Sequence, residues 1–417
     1  MNPKLVLVTG ATGYIANLII PQLLERGYRV RALARQPERL NARKWFPQVE
    51  MFRGDVMNPS TLAPALDGVH TAYYLVHNMA AGQGYTSLEI ESARNFARAA
   101  EGAGVQHIIY LGGLADSEQN IAPHMRSRIE TGATLRQGRV PVTEFRAGVI
   151  IGSGSISFEM IRFMTELFPV IPAPTWLKNK SQPIATQNVI DYLLAALENH
   201  NGEGGVFEIG GPQVFSYQEL MLRYAKIRGH KRSFILLPFI PTGFMAFGIG
   251  LATPVPPAIA SALMAGLSRD SVVIHNDARK TFPEVMLIDF ESAVGGAMRR
   301  LHPLEIEHVW EDGLGAVKNL KHEGFFIHHR EMKINAPPEK ALPLSYKKFS
   351  FGEEWLQWRV GQIANSPQGG NVTYIMQTAY FAPRGLGGFL YWYLFYPFHV
   401  FRFRRLIKNI GGKIKIK

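Results

Sequence analysis

Hydrophobic and polar positions follow two different periods along the first 150 residues of the chain. Short apolar runs predict buried strands, and longer segments with apolar residues three and four apart predict helices between them. The helical pattern is clearest at residues 87–103 and 122–137. The predicted strands are residues 5–8, 28–35, 49–53, 71–76, 105–111, 142–146 and 206–210. This β-α-β series predicts an α/β fold with a doubly wound parallel sheet.

The pattern changes after residue 320. Apolar and polar residues there alternate with a period of two, which is typical of antiparallel strands. The alternating segments are 325–335, 346–351, 355–364 and 371–381, and a helical pattern starts near Leu386. A chain of 417 residues exceeds one ordinary core. We therefore predict an α/β domain over residues 1–320 and a small α+β domain over 321–417.

A glycine-rich turn joins the first predicted strand to the first predicted helix. It reads Thr9-Gly-Ala-Thr-Gly-Tyr-Ile-Ala16. Gly10 allows a positive φ, Gly13 lets backbone N–H groups approach a pyrophosphate, and Ala16 keeps the helix close to the sheet. The positive end of the helix dipole favours phosphate, so strand, turn and helix in this order predict a dinucleotide site. The residues assigned to the turn site are Gly10, Thr12, Gly13, Tyr14 and Ile15.

The end of the second predicted strand indicates which dinucleotide binds. In such folds an acidic residue at this position holds the ribose 2′-OH of NAD, whereas an arginine accepts the 2′-phosphate of NADP. Residues 28–35 contain no Asp or Glu and end in Arg35, with Arg31 on the same strand face. Because a guanidinium fork suits phosphate, we predict NADP rather than NAD. The alternative is that both arginines only solvate the end of a strand.

The positive charge is concentrated at the C-terminal end. Residues 318–417 contain 16 Lys or Arg and 5 Asp or Glu, so they supply +11 of the net +12. A cationic tail of this kind is typical of contact with an anionic surface. We expect no nucleic-acid partner.

Composition also restricts the compartment and the metal chemistry. The chain has no cysteine, which excludes disulfides and thiolate metal sites and fits a reducing compartment. His328 and His329 are adjacent on a predicted strand and point to opposite faces, so no metal site is predicted. The first strand begins by Leu5, where no signal peptide fits, and we expect a cytoplasmic protein.

Several short motifs together make the first 300 residues resemble an atypical short-chain dehydrogenase/reductase, in the NmrA-like and complex-I-accessory-subunit-like branch. Besides the glycine turn and Arg35, they are Gly54-Asp55-Val56, Tyr74-Leu-Val-His77, Tyr110-Leu-Gly-Gly113, Arg146-Ala-Gly-Val-Ile-Ile-Gly152 and Phe207-Glu-Ile-Gly-Gly211. The resemblance implies a Rossmann domain and substrate-side segments at about 152–185 and 212–300. Ala336-Pro-Pro-Glu-Lys340 after a strand, and a long final helix after an Arg-Gly-Leu turn, make the last domain resemble a helix-grip (START-like) domain. It is shortened, because few residues separate Glu339 from the next strand.

The resemblance also implies a role for individual residues. Asp55 and Val56 would lie at the adenine. Leu75, Val76 and His77 would pass along the cofactor, together with Gly112 and Gly113. Ala147, Val149 and Ile150 would lie near the nicotinamide.

The catalytic residues depart from the family pattern. A Ser and a Tyr-x-x-x-Lys group are usual, because the lysine charge lowers the pKa of the tyrosine so that it can pass a proton. The matching positions here hold Gly112, His124 and Arg128. Imidazole titrates near neutrality, so His124 could replace tyrosine as the acid, with Arg128 holding the ribose. Alternatively, His124 is a polar helix residue at a site that has lost its chemistry.

Two apolar segments suggest contact with apolar partners. Residues 233–268 contain no charge, and five prolines cut them into pieces shorter than a membrane-spanning helix. A helix pair packed on the α/β domain, lining a pocket for an apolar substrate, is the favoured interpretation. The final helix carries Tyr391, Trp392, Tyr393, Phe395 and Phe398 ahead of a basic tail. It either covers the sheet or binds an anionic membrane surface through residues 386–417.

Two classes of function fit these observations. The first is an NADP(H)-dependent oxidoreductase that acts on an apolar carbonyl or quinone-like substrate. The second is a non-catalytic NADP-binding redox sensor or scaffold at a membrane complex, which the missing Ser and Tyr favour.

Overall fold

The computed structural model confirms the predicted fold class. It has a seven-stranded parallel sheet with helices and a separate five-stranded antiparallel sheet near the C-terminus. The residues that the structure describes are 4–41, 43–77, 85–115, 121–238, 243, 245, 247–248, 257–302, 318–322, 325–334, 345–363 and 372–414.

The large sheet places a ligand-binding crevice beside its first strand. Its strand order is β3-β2-β1-β4-β5-β6-β11. The chain therefore adds β2 and β3 on one side of β1 and then returns to add β4 and the later strands on the other side. Such a switch point is where open α/β sheets bind ligands, at the carboxyl ends of the strands. The strands are β1 (Leu5–Val8), β2 (Arg29–Ala34), β3 (Glu50–Arg53), β4 (Thr71–Tyr74), β5 (His107–Gly113), β6 (Val142–Ala147), β7 (Ile150–Ile151), β8 (Val170–Pro174), β9 (Lys180–Ser181), β10 (Ile184–Ala185), β11 (Val206–Ile209), β12 (Phe215–Ser216) and β13 (Ser233–Leu237).

Helices cover both faces of this sheet, because consecutive apolar residues of a strand point to opposite faces and each face needs a covering layer. In β1, Val6 and Val8 join the core under one set of helices, while Leu5 and Leu7 join the core on the opposite face. Burial of each such side chain contributes about 1.5–3 kcal/mol. The helices are α1 (Tyr14–Glu25), α2 (Pro59–Leu66), α3 (Tyr85–Gly102), α4 (Pro123–Leu135), α5 (Ile156–Leu167), α6 (Thr186–Glu198) and α7 (Tyr217–Ile227), then Pro257–Gly266, Asp277–Thr281 and Phe290–Arg299, with short 3-10 turns at Pro37–Leu40, Phe46–Gln48, Thr175–Lys178 and His200–Gly202.

Two segments on the substrate side differ from the sequence-based expectation. Residues 152–155, whose sequence Gly-Ser-Gly-Ser after strand six predicts a loop and not the start of a helix, form the turn that opens α5, with Ser155 as its N-cap. The first part of the uncharged segment 233–268 is strand β13, paired with β8, and its described helical residues are 243, 245, 247, 248 and Pro257–Gly266. Pro169 and Pro238 flank these two strands, and the central prolines of the segment lie outside the described residues.

The C-terminal domain is an antiparallel sheet covered by two helices. Its strands are β14 (Lys318–His322), β15 (Phe325–Ile334), β16 (Ser345–Phe349), β17 (Gly352–Ile363) and β18 (Val372–Pro383), in the order β14-β15-β18-β17-β16. The sequence pattern missed β14. The predicted single helix is broken at Phe395 into Gly385–Leu394 and Tyr396–Ile414, because Pro397 cannot continue a helix from the preceding turn. The segment around Glu339 lies outside the described residues.

One buried carboxylate joins the two domains. Oε1 of Glu166, at the end of α5, accepts hydrogen bonds from the Tyr224 hydroxyl at 2.8 Å and Arg228 Nε at 2.7 Å. Its Oε2 lies 2.6 Å from His230 Nε2 and accepts the backbone N–H of Gly385 at 2.7 Å. Burial alone would raise the pKa of Glu166, but the contacts with His230 and Arg228 outweigh it and hold the pKa well below its usual range. Phe163 of α5 also packs on Phe389 of the C-terminal domain, at 5.8 Å between ring centroids.

Candidate cofactor and substrate site

The glycine turn after β1 is held tightly against β4. Gly10 has φ +61°, and a Cβ there would lie 2.7 Å from the carbonyl oxygen of Leu75. The Thr9 hydroxyl donates to the Tyr73 carbonyl and accepts from the Leu75 N–H, both at 3.0 Å. Asn17 Nδ2 donates to the Gly13 carbonyl at 2.8 Å. Only glycine fits at position 10, and the turn is fixed in place before any ligand arrives.

The turn delivers the N-terminus of α1 to a cleft. The N-cap residue Gly13 has no side chain to satisfy the first-turn N–H groups, and no acidic residue lies in that turn. These groups carry the positive end of the helix dipole and suit an anion. The cleft, called here the dinucleotide cleft, is lined by residues 10–16, 33–35, 54–57, 75–77, Leu88 and Leu111.

Arg35 lies at one end of the dinucleotide cleft beside Asp55 and Val56. Its side chain is exposed, and within the described part of the chain no ion pair engages it. The neighbouring Arg53 is paired with Glu38. Asp55 accepts the N–H of Met57 at 3.0 Å, which fixes the loop that borders the cleft. Arg35 is therefore a cation available to a phosphate at this end.

Arg31 has a different role from the one predicted. Its Nε and Nη2 donate to Glu50 Oε2 at 3.1 and 2.9 Å, and its Nη1 donates to the carbonyls of Ala65 and Asp67 at 2.8 Å each. Arg31 is absent from the described lining of the dinucleotide cleft. The geometry gives no support to the prediction that Arg31 contacts the cofactor phosphate, because β3 and the end of α2 satisfy its donors.

A second cavity, the catalytic compartment, continues from the dinucleotide cleft. Tyr14 and Leu111 line both. The Tyr14 hydroxyl lies 3.0 Å from Thr186 Oγ1, which holds the ring at the junction. Of the residues predicted for the cofactor, Leu75, Val76 and His77 line the dinucleotide cleft. Gly112, Ala147, Val149 and Ile150 line the catalytic compartment.

Gly113 lies against Met125 and Arg128 of α4 and is absent from the described lining of both cavities. A Cβ at this position would lie 2.7 Å from Met125 Cε and 3.1 Å from Arg128 Cδ. Its small size lets α4 bring the Arg128 side chain close to the end of β5. Its contribution to the site is therefore space for Arg128.

His124 and Arg128 of α4 both line the catalytic compartment. His124 is buried, and burial together with the charge of Arg128 lowers its pKa to about 4. Burial and the same arginine hold the pKa of His77 well below its usual value. The expectation that His124 titrates near neutrality does not hold in this structure, because burial, and then the charge of Arg128, disfavour the cationic imidazole and lower its pKa. Nδ1 of His124 and Nε of Arg128 have no hydrogen-bond partner among the described residues.

An apolar third cavity, the methionine chamber, adjoins the catalytic compartment. Val149, Ser157, Tyr217, Leu263 and Leu267 line both cavities. Methionine side chains are flexible and polarisable and adapt to irregular apolar ligands. The methionines of the chamber are Met160, Met164, Met221, Met245 and Met264.

Sequence reasoning did not identify this chamber or Tyr217. Met160 and Met164 are four residues apart on α5, a spacing that places both on one helix face. Tyr217 is the first residue of α7 and lies within the capping box that Ser216 and Glu219 form, which marks this helix start in the sequence. Both signals are visible in the sequence, but neither shows that α5 and α7 face the same cavity.

Comparison with known proteins agrees with the geometry. The fold and the two-part cleft define an NAD(P)-binding protein of the Rossmann type. A profile of the NmrA-like family matches residues 2–240, more than half of the chain, and the chain belongs to this family. A second profile, for a family of proteins of unknown function (DUF2867), matches residues 325–406.

The curated relatives include enzymes and an assembly factor. A 3 beta-hydroxysteroid dehydrogenase/Delta 5-->4-isomerase of Mycobacterium tuberculosis is 30% identical over 129 residues, 28% of this chain and 34% of that protein. The chain thus spans about a third of the length of the first relatives that it matches. Photosystem II assembly factor Ycf39 of Trieres chinensis is 24% identical over 244 residues, 56% of this chain and 72% of that protein.

Solved structures share the fold of the first domain. Triphenylmethane reductase of Citrobacter sp., solved with NADP(H), has a TM-score of 0.58 at 22% identity, covering 70% of this chain and 99% of that one. The NADPH-dependent quinone oxidoreductase QOR2 of Escherichia coli, solved with NADPH, has a TM-score of 0.56 at 19% identity, covering 70% and 98%. At these identities the likeness concerns the fold alone.

Proposed function

We propose that this chain is an NADP(H)-dependent oxidoreductase that reduces an apolar carbonyl or quinone-like substrate. The observation that carries the proposal is the continuity of the three cavities. The dinucleotide cleft meets the catalytic compartment at Tyr14 and Leu111, and that compartment meets the methionine chamber at Val149 and Tyr217. A cofactor and an apolar molecule would therefore meet beside His124.

The residues of the dinucleotide cleft fit NADP(H). The Gly10 turn leaves no room for a side chain, the first turn of α1 offers N–H groups, and Arg35 offers a guanidinium at the far end. Triphenylmethane reductase and QOR2, which share the fold, were solved with NADP(H) and NADPH. When bound, NADPH supplies the hydride, and the protein supplies binding and orientation.

His124 and Arg128 would act on the oxygen of the substrate. With a pKa of about 4, His124 is a neutral imidazole at neutral pH and can donate a hydrogen bond without carrying charge. Arg128 provides a permanent positive charge whose Nε has no protein partner among the described residues. A neutral donor beside a fixed cation stabilises negative charge that develops on a substrate oxygen. Neither Arg128 nor the neutral imidazole of His124 can serve as the proton source, so solvent would supply the proton.

The direct test is NADPH oxidation by the purified full-length chain with panels of quinones and apolar aldehydes or ketones. We expect turnover with NADPH and apolar acceptors, and much less with NADH or with small polar carbonyls. His124→Ala should retain NADPH binding and lose turnover. Tight NADPH binding without turnover on any acceptor would reject the oxidoreductase and favour the second candidate.

The second candidate is a non-catalytic NADP(H)-binding redox sensor or scaffold at a membrane complex. It is favoured by the glycine and histidine at positions 112 and 124, where related reductases use serine and tyrosine. The relatives named as photosystem II assembly factors, which the chain matches over 72% of their length in one case, also favour it. For such a protein, NADPH and NADP should bind with different affinities and change its association with partners.

A further inference from the structure

The two C-terminal helices, Gly385–Leu394 and Tyr396–Ile414, have clearly separated faces. Here they are called the C-terminal helix pair. One face packs on the antiparallel sheet through Phe389, Trp392, His399, Phe403 and Ile407, which are all buried. The opposite face carries large apolar side chains whose exposed fraction runs from 37% at Leu386 to 71% at Phe398. The exposed apolar residues are Leu386, Leu390, Tyr393, Leu394, Phe395, Phe398 and Phe401.

This exposed face differs from the aromatic face expected from the sequence. Trp392 is buried and stacks on Phe381 and Phe326, at 5.5 and 5.4 Å between centroids. Tyr391 is half-buried, with its ring 4.5 Å from that of Phe351. Part of the predicted aromatic set therefore packs against the sheet. Leu386, Leu390, Leu394 and Phe401, which are not in that set, are exposed on the outer face instead.

Cations follow the apolar residues along the same outer face. Arg404, Arg405 and Lys408 are exposed, whereas Arg402 is paired with the buried Glu354. The sequence contains no Asp or Glu after Glu354. The outer face thus changes from apolar to cationic within one continuous helix, with no acidic residue to neutralise it.

We propose that this outer face docks peripherally on a bilayer that contains anionic lipid. The exposed leucines and phenylalanines would enter the boundary between headgroups and acyl chains, and the exposed arginines and lysine would lie among anionic headgroups. None of the described helices is long and apolar enough to span a bilayer, so the contact is with one leaflet.

Charge favours a bilayer over a second copy of the chain. Self-association through this face would bring two sets of Arg404, Arg405 and Lys408 together, which like-charge repulsion opposes. An anionic bilayer matches both the apolar and the cationic part of the face, and each cation near it contributes roughly fivefold in binding constant. The proposal does not depend on catalysis, because the helix pair shares no lining residue with the three cavities in the described part of the chain.

The test is co-sedimentation of the full chain with vesicles of phosphatidylcholine alone and of equal parts phosphatidylcholine and phosphatidylglycerol, across a salt series. We expect binding only to the anionic vesicles, and binding that weakens as salt rises. Arg404→Glu with Arg405→Glu should lower the binding constant by at least about tenfold. Leu394→Ser, Phe398→Ser and Phe401→Ser together should abolish binding even at low salt.

Matched changes on the first domain serve as controls. Arg139→Glu with Lys280→Glu alters the same number of exposed cations, with side chains 90% and 78% exposed. Met286→Ser removes an apolar side chain that is 80% exposed. These controls should bind like the unchanged chain, and thermal unfolding should show that every variant is folded.

Three results would overturn the proposal. The first is no binding of the unchanged chain to anionic vesicles, and the second is equal binding by the outer-face variants and their controls. The third is a chain that sediments as a dimer and becomes a monomer in the Leu394, Phe398 and Phe401 variant, because the face would then serve self-association.

Discussion

The two ends of the cofactor and substrate site use different parts of the polypeptide, backbone groups at one end and side chains at the other. The phosphate end consists of backbone from one turn, between Gly10 and Gly13, and the first residues of α1. The catalytic end consists of side chains from distant elements, including His124 and Arg128 of α4 and Tyr217 of α7. Backbone function depends on local conformation and is visible in a short motif. Side-chain function depends on tertiary packing, which a motif does not encode.

The electrostatics of the two ends also differ. At the phosphate end the positive charge is accessible, on Arg35 and the N-terminus of α1. At the catalytic end the charge of Arg128 keeps two imidazoles, His77 and His124, neutral by holding their pKa values low. The first arrangement suits binding of an anion, and the second suits stabilisation of charge that appears only during a reaction.

The largest effect should come from His124 at the catalytic end. His124→Ala should lower turnover by about 10²–10³-fold, as loss of an oxyanion donor does, and leave NADPH affinity unchanged. Because the pKa of His124 is about 4, turnover of the unchanged chain should show no titration of this residue across the neutral range. His107→Ala is the control, since His107 also has a pKa of about 4. It is the first residue of β5, whereas Gly112, near the other end of that strand, lines the catalytic compartment. Full turnover by His124→Ala would place the donor elsewhere.

At the phosphate end, Gly10→Ala should lower NADPH affinity by about 5- to 150-fold, since a turn displaced from the phosphate site costs about 1–3 kcal/mol. The matched control is Gly27→Ala. Gly27 has φ +80° but no atom within 4 Å of an added Cβ. Both variants should lose similar stability from the positive φ, and only Gly10→Ala should lose cofactor in a fluorescence titration. Equal affinities in the two variants would contradict the close approach at Leu75.

Arg35 should determine the preference for NADPH over NADH. Arg35→Ala removes a charge-assisted contact worth about 1.5–3 kcal/mol, so NADPH affinity should fall about ten- to hundredfold while NADH affinity stays constant. Arg31→Ala is the matched control. Because Arg31 is paired with Glu50, its removal should leave the ratio of NADPH to NADH affinity unchanged. A change in the ratio of NADPH to NADH affinity in the Arg31 variant would show that Arg31 contributes to cofactor preference after all.

The smallest effect should come from the methionine chamber. Met160→Ser should raise the KM for acceptors with long apolar groups by about fivefold and leave short acceptors unaffected, since the chamber lies beyond the catalytic compartment. Met286→Ser, which alters an exposed methionine, should leave both KM values unchanged. An equal effect on short and long acceptors would show that Met160 acts through packing of α5 alone.

The sequence predicted the sheet because strands buried on both faces are continuous apolar runs, as in β1 and β5. It could not distinguish Arg31 from Arg35, since strand alternation places both on one face and only tertiary structure brings Glu50 to Arg31. It could not divide the aromatic residues of the final helices either, because Trp392 and Tyr393 both contact Phe326 of the sheet, yet only Trp392 is buried and Tyr393 is 42% exposed. The depressed pKa of His124 depends on burial, which the residue spacing does not report.

The Glu166 cluster has a consequence for how the molecule is made. The carboxylate and Phe163 belong to α5, but the Gly385 N–H and Phe389 that complete their surroundings are made much later, Gly385 being 219 residues further along the chain than Glu166. An unfinished chain would therefore display an aromatic ring and an incompletely paired carboxylate on an otherwise folded first domain. Exposed apolar surface of this kind attracts chaperones and proteases during synthesis. The cluster thus makes the surface of α5 depend on whether residues 385–389 have been made and have folded onto it.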